Sequence, residues 1–481
     1  MAGISNIGVG SGLNLSDLLT SLQTNENLAL QPISDQATAY QAKLSAFGKI
    51  KNALDAYQAA AKNLSNPKTF SVVKAAVSNG ILTATTSADS IPGSFAIKVN
   101  KLAQAQTLAS AGQASQTTAI GGGTITFDFG KDLATGGAPT STKTVTIGSD
   151  TSLQGIRDSI NKADIGVKAS IVNDGSGTPY RLVLTSSTTG EDMSMRVTAS
   201  DGAVGNVINF DPTQATQPNG VQEKVKAANA SLSVNGIDII SQTNTVKDAV
   251  PGTTLTLTAT GDTTLTATQD NDAIKKAVTD FVSAYNAVLT EAATQTAFDT
   301  SANKPGDPST SSPLTGDGTL RNITTRLRSM LNAGLPDGKG GTLTLSQMGI
   351  SFDMDTSNKG QNYGKLKVND DKLDATIRDN AQGMAAFFGG VSGSKGLGNT
   401  IDDYVTGLNA DGGALESVTS GLTESLKDLN DKYTATQDRI QTTMDRYKAQ
   451  FTQLDTLISQ LNQTKSYLTQ QFASLTNSSS K

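Results

Sequence analysis

Histidine, cysteine and tryptophan are absent from all 481 residues. Without histidine or cysteine there can be no Ser-His-Asp triad, no thiol nucleophile, no ordinary zinc site and no iron–sulfur cluster. Disulfides are excluded as well. Chemistry is left to carboxylates, lysine, serine, tyrosine and bound hard cations. Charge is also sparse, at 17% of residues against a usual ~25%. The formal net charge of −5 offers nothing that would attract nucleic acid or anionic lipid. No apolar run approaches the ~18 residues of a spanning helix, so no membrane insertion is expected. The first basic residue is Lys43, which argues against a secretory signal with a basic start. What the chain does have is length enough for about three domains, and 36% hydrophobic residues with 46 glycines to build their cores.

The two ends read as helix and the middle as sheet. Gly8, Gly10 and Gly12 lead into Leu13, Leu15, Leu18, Leu19 and Leu22, with Asn14 a candidate N-cap. A second helix opens at Pro32 and carries Ile33, Ala37, Tyr40, Leu44, Phe47, Ile50, Leu54, Tyr57, Ala61 and Leu64 at alternating three- and four-residue steps. Asn66-Pro67 should end it. A third starts near Asp272, with Asn271 or Asp272 as cap and Ile274, Val278, Phe281, Tyr285 and Val288 on one face. The longest pattern runs from Leu422 to Leu475 in heptad-like steps with one stutter between Thr436 and Met444, the signature of a coiled coil. These seams most simply bury against one another.

Residues from about 70 to 270 alternate as strands do. Phe95, Ile97 and Val99 form one run; Asn235-Gly236 between Leu232, Val234 and Ile237, Ile239 marks a hairpin. A short helix over 152–162 interrupts the strands. Thr151–Ile156 and Thr245–Val250 are similar in pattern and raise the question of an internal duplication. The expected fold class is a multidomain α+β chain: a helical, coiled-coil leg built from both termini, with β-rich head domains inserted between. The expected segments are 1–32 and 455–481 as terminal pieces that order on assembly, 33–70 and 271–454 as the leg, 71–110 and 226–270 as one head domain, and 111–225 as a second inserted in it.

Little supports catalysis. Gly8-Val9-Gly10-Ser11-Gly12 has glycines spaced like a phosphate loop but no strand ahead of it, so it reads as a hinge. Asp353 and Asp355 lack any EF-hand spacing. Paired carboxylates for glycoside hydrolysis have no local support, and an aromatic fraction of 5% is poor for a sugar cleft. No catalytic, metal or cofactor-binding residue is therefore assigned. The ends differ: residues 1–42 hold only Asp17, Glu26 and Asp35, and residues 449–481 only Asp455, Lys465 and Lys481 as charges. Their apolar stripes either pack within one domain or serve as contacts to other subunits. The residues offered for such contacts are Leu13, Leu15, Leu18, Leu22, Phe451, Leu454, Ile458, Leu461 and Leu468.

The order of several short motifs resembles the flagellar hook-associated protein 2 family, the bacterial filament caps. They are Ile7–Asn14 with Leu18, Leu19, Leu22 and Glu26; Pro92-Gly93-Ser94 before Ile97-Lys98-Val99; Ile160-Asn161 and Gly166-Val167-Lys168-Ala169; and Arg181–Ser186 with Thr189-Gly190. Val234–Ile237, Asn244-Thr245-Val246, Phe281-Val282 with Tyr285-Asn286, Leu314 with Gly316-Asp317, and Gln450-Phe451, Leu454-Asp455 and Ser466-Tyr467-Leu468 complete the series. The resemblance implies export, unfolded, through the flagellar type III channel and assembly at the distal tip of the filament. There a homo-oligomeric plate, pentamer-like in family members, would retain flagellin and promote its polymerisation without catalysis. It further implies contact with other hook-associated proteins and an export chaperone on the C-terminal helix, over Phe451, Leu454 and Leu461. Rival readings are another flagellar axial protein, flagellin or a hook–filament junction protein, and an exported adhesin or sugar-active protein using the Thr-rich head.

Overall fold

A computed structural model describes residues 12–87, 89–298, 311–354 and 364–478. Helix α1 (Leu15–Asn27) and α2 (Gln31–Ser65) are joined by a short 3-10 turn. Pro32 sits in the first turn of α2, where its missing N–H is no loss. The buried face of α2 is Ile33, Ala46, Phe47, Ile50, Leu54, Tyr57, Ala61 and Leu64, close to the face that the spacing predicts. Asn66 turns extended ahead of Pro67 and stops the helix. Asn14 occupies the cap position of α1 but makes no side-chain cap; its amide donates to the Asp17 carboxylate instead.

The chain divides into two compact units. One takes the described residues up to Phe70 and those from Lys275 onward; the other is Ser71–Ile274. The second unit opens with strands β1 (Val73–Val77), β2 (Leu82–Thr86), β3 (Gly93–Lys101), β4 (Thr107–Ala109), β5 (Thr124–Phe129) and β6 (Ser141–Thr146). Helix α3 (Leu153–Ala163) follows, with Ser152 accepting from the Gly155 N–H as its cap. Then come β7 (Val167–Asn173), β8 (Tyr180–Ser186), β9 (Met195–Ala199) and the short α4 (Gly202–Ile208). Strands β10 (Gln222–Val225), β11 (Ala230–Val234), β12 (Ile237–Ser241), β13 (Thr245–Val250), β14 (Thr253–Leu257) and β15 (Gly261–Gln269) close the unit.

These strands enclose two cores. A five-stranded sheet in the order β1-β15-β3-β11-β12 and a three-stranded sheet β13-β14-β2 surround Leu82, Ile97, Val99, Leu232, Leu255 and Leu265. A four-stranded sheet β10-β4-β8-β7 and a three-stranded sheet β6-β5-β9, with α3 and α4, surround Phe127, Ile156, Leu182 and Val197. The β11–β12 hairpin turns through Asn235 at φ +51° and Gly236 at φ +82°, the two left-handed residues of a type I′ turn. The suspected duplication fails at the level of structure. Thr151–Ile156 leads into a helix, whereas Thr245–Val250 is strand β13 with a bulge and Asp248 at φ +59°.

The first unit resumes within α5 (Asn271–Gln295), at Lys275, and continues with α6 (Gly318–Leu331), α7 (Asp370–Gly389), α8 (Leu397–Asn409) and α9 (Ala414–Ser478). At the start of α5 the Asp270 carboxylate accepts from the Ala273 N–H, one residue ahead of the expected Asn271, whose Oδ1 makes no hydrogen bond among the described residues. Aromatic rings knit α2, α5 and α7 together. Tyr57 lies 5.2 Å from Phe281, Phe281 5.6 Å from Phe388 and Phe388 5.0 Å from Phe387, the last two pairs edge-on. Ring pairs of this kind add about 0.5–1.5 kcal/mol each beyond the area they bury. Lys275 of α5 reaches Asp370 at 2.8 Å and Asp374 at 3.0 Å on α7. No helix among the described residues is long and apolar enough to cross a membrane.

Candidate assembly surface

Helix α9 runs 65 residues, about 100 Å at 1.5 Å per residue. Its apolar seam is covered along one part of its length and bare along another. Leu415, Leu429, Ile440 and Met444 are buried, in a stretch that packs against α2 and α8 and then against α1. Around Ile440 and Met444, Leu19 of α1 is fully buried, and Leu22, Leu30, Tyr447 and Phe451 pack at the margin. Beyond that cluster the same spacing continues with most of its side chains in solvent, Ile458 being half-buried. Leu454 is 39% exposed, Leu457 55%, Leu461 59% and Leu468 47%.

The residues singled out in the sequence thus fall into two groups. Leu15 is buried, and Leu22 and Phe451 are half-buried, Leu22 and Phe451 meeting at the α1–α9 contact. Ile458 is half-buried. Leu13, Leu18, Leu454, Leu461 and Leu468 are exposed. Leu19 is more deeply buried than any of the chosen α1 residues. Its four-residue step from Leu15 was the available signal. Complete burial of a leucine is worth about 1.5–3 kcal/mol. Covering Leu454, Leu457, Leu461 and Leu468, each already about half covered, therefore has a gross value of roughly 3–6 kcal/mol. What the surface offers is apolar area that can be covered. Residues 454–473 carry only Asp455 and Lys465 as charges, so the stripe presents apolar and neutral polar groups.

The asparagines of the short motifs have a distinct structural role. Asn161 donates to the Ala169 carbonyl at 2.8 Å and accepts from the Ala169 N–H at 2.8 Å. Asn244 treats Ala103 in the same way, at 3.0 and 2.7 Å, and Asn286 treats Leu366 at 2.8 and 2.7 Å. Each carboxamide replaces a neighbouring strand by offering one donor and one acceptor to a single residue's backbone. Only one orientation of the amide satisfies both bonds. β7 is the last strand of its sheet, so Asn161 from α3 closes an otherwise unpaired stretch of edge. Asp317 of the Gly316-Asp317 motif caps α6, accepting from the Leu320 N–H at 2.9 Å.

The acids weighed for cation binding do not converge. Asp353 lies 3.9 Å from Lys367, and Asp355 and the glycine run at 8–11 fall outside the described residues. Among the described residues, no group of three or more acidic side chains is placed to hold a metal. Perturbed carboxyls serve structure. Hydrogen bonds from Ser176, then the Arg181 guanidinium, hold Asp174 well below the ordinary carboxylate range. Burial would raise Asp128, but hydrogen bonds from Thr142 and Arg196 outweigh it and leave it lowered. The Tyr57 hydroxyl is pushed well above its usual value by burial and by the neighbouring Tyr285.

Comparison with known proteins matches this layout along almost the whole chain. Residues 11–106 fit the family model of the flagellar hook-associated protein 2 N-terminus, and residues 227–463 that of its C-terminus. Residues 122–188, which contain Asn161, fit the flagellin hook IN motif. The chain is 39% identical to flagellar hook-associated protein 2 of Escherichia coli strain K12, over 99% of this chain and 100% of that protein. It is 37% identical to the Salmonella typhimurium protein of the same name over 99% and 100%, and 30% identical to the A-type protein of Pseudomonas aeruginosa over 88% and 87%. The crystal structure of the D1-D2-D3 domains of the Escherichia coli flagellar cap protein FliD superposes with a TM-score of 0.62 at 35% identity. That match covers 79% of this chain and 99% of the crystallised one.

Proposed function

The chain belongs to the flagellar hook-associated protein 2 family, and from that premise we propose that the bare half of the α9 seam is where this filament cap meets its partners. The protein is a structural component of the flagellum, an exported cap at the distal end of the filament that retains flagellin and promotes its polymerisation. Its helical leg comes from both termini and its β-rich head from the middle of the chain. The observation that carries the proposal is a single continuous helix whose apolar stripe is covered as far as Phe451 and open from Leu454.

Copies of the same chain, flagellin and other hook-associated proteins are the partners at the tip, in a ring of pentamer-like form. Before export, a chaperone shields the same stripe over Phe451, Leu454 and Leu461. Within the terminal segments 1–32 and 455–481, the described residues 12–32 and 455–478 take their final order only in these contacts. In support, few side chains are fully buried where α1 meets α9, so local opening there is easy. In isolated protein, amides of 15–27 and 455–473 should exchange far faster than those of 47–64; equal protection would refute the ordering step. For the contact surface, the test is the paired substitution Leu461→Asp with Leu468→Asp. Assembly and chaperone capture should be lost while the head keeps its melting behaviour. Unchanged assembly would remove the surface from the account. With so few charges on the stripe, wild-type association should also vary little between low and high salt.

A further inference from the structure

The two cores of the β-rich unit share no side chain. The chain passes between them twice, and at the crossing Gln104 and Ala228 pair as an antiparallel bridge. The Gln104 N–H donates to Ala228 at 2.8 Å, and the Ala228 N–H returns to Gln104 at 3.1 Å. Against this narrow ribbon lies the loop after β8, Thr189 to Asp192. The Gly190 N–H donates to the Gln104 carbonyl at 3.1 Å. The Glu191 N–H donates to Asn229 Oδ1 at 2.8 Å, and Asn229 Nδ2 donates back to the Glu191 carboxylate at 3.2 Å. Thr189 Oγ1 donates to the Gln242 carbonyl at 2.9 Å, and the Asp192 N–H reaches Gln242 Oε1 at 3.3 Å.

Gly190 is what lets the loop sit there. Its φ is +103°, and a Cβ would stand 2.0 Å from Gln242 Oε1 and 2.6 Å from the Gln242 carbonyl oxygen. All of these bonds are polar; Gln104, Glu191 and Asp192 are exposed to water, Thr189, Asn229 and Gln242 are half-buried and Gly190 is buried. Water can replace the bonds at the exposed groups as the loop lifts, so their net hold is modest. An apolar interface between the cores would have no comparable way to open.

We propose that the 189–192 loop is a clasp on a hinge. Closed, it fixes the angle between the two β-rich domains of the head; open, it lets the inserted domain swing about the two-stranded crossing at 104 and 228. The lack of native cysteine allows a direct test on the full chain, with spin labels on Lys143→Cys in β6 and Asp238→Cys in β12, both exposed strand positions. The labelled parent should give one narrow distance distribution. Gln242→Ala and Gly190→Ala should each broaden or shift it. In both variants, exchange of the backbone amides at positions 190 and 192 should rise roughly tenfold, equivalent to about 1.4 kcal/mol. Peptides covering β5 and β11 serve as the folding control and should keep their protection. A broad distribution in the parent overturns the clasp. So does an unchanged distribution in a variant whose loop amides are released, and so does unchanged loop protection in both variants.

Discussion

Replacing Asn161 tests whether the motif asparagines act as substitute strands. Asn161→Ala deletes both bonds to Ala169, each worth about 1 kcal/mol net. Ala169 is only 7% exposed, so its released N–H and C=O are poorly rehydrated, and the loss should reach about 2–4 kcal/mol. Asn161→Asp is the sharper variant. At neutral pH its carboxylate still accepts from the Ala169 N–H but sets a negative charge against the Ala169 carbonyl. The protonated acid would donate to that carbonyl and restore the pair. The folded state therefore prefers the protonated form, and the new carboxyl's folded pKa lies above its unfolded value near ~3.9. Its stabilisation is fully present below the unfolded pKa and is lost as pH rises through the folded pKa. Relative to the alanine variant, the aspartate variant should gain as pH falls from 7 towards 4. Hydrogen exchange over peptides spanning 167–173 in the full chain reads this locally. At pH 7 the alanine variant should exchange roughly 30- to 1,000-fold faster than the parent, by the tenfold-per-1.4 kcal/mol conversion. A difference below threefold would refute the strand-substitute role.

Tyr57 gives an opposite expectation. Its hydroxyl is fully buried with no hydrogen-bond partner among the described residues, so Tyr57→Phe should leave the helical unit as stable or more stable by about 1 kcal/mol; a loss above that in a denaturant melt would reveal a hidden partner. Because burial raises the Tyr57 pKa, its stabilisation is intact below the unfolded value near ~10 and drains as pH rises through the folded one. The parent should therefore lose helix in strongly alkaline buffer, and Tyr57→Phe should lose less.

Periodicity made the helical leg legible because a stripe of apolar residues must be buried somewhere. On α2 the buried set Phe47, Ile50, Leu54, Tyr57, Ala61 and Leu64 is the spacing itself. Spacing does not say what covers a stripe, and on α9 the apolar spacing runs on from the covered half to the bare one, with only the thinning of charge after residue 448 to mark the change. Helices α6 and α7 had signals that went unused: Asp317 ahead of Leu320, Ile323, Leu327 and Leu331, and Asn369 ahead of Leu373 and Ile377. The Asn244 and Asn286 pairings were out of reach because their partners lie 141 and 80 residues away in the chain. The clasp was illegible for a related reason. Gly190 looks like any turn glycine until Gln242 is seen against it.

The central claim is that this protein closes the growing end of the filament, and the most direct measurement is of where flagellin goes without it. A strain lacking this chain should release monomeric flagellin into the medium and carry few or short filaments. Returning the intact gene should restore both, whereas the Leu461→Asp, Leu468→Asp form should not. Normal filaments with no flagellin in the medium of the deletion strain would contradict the account.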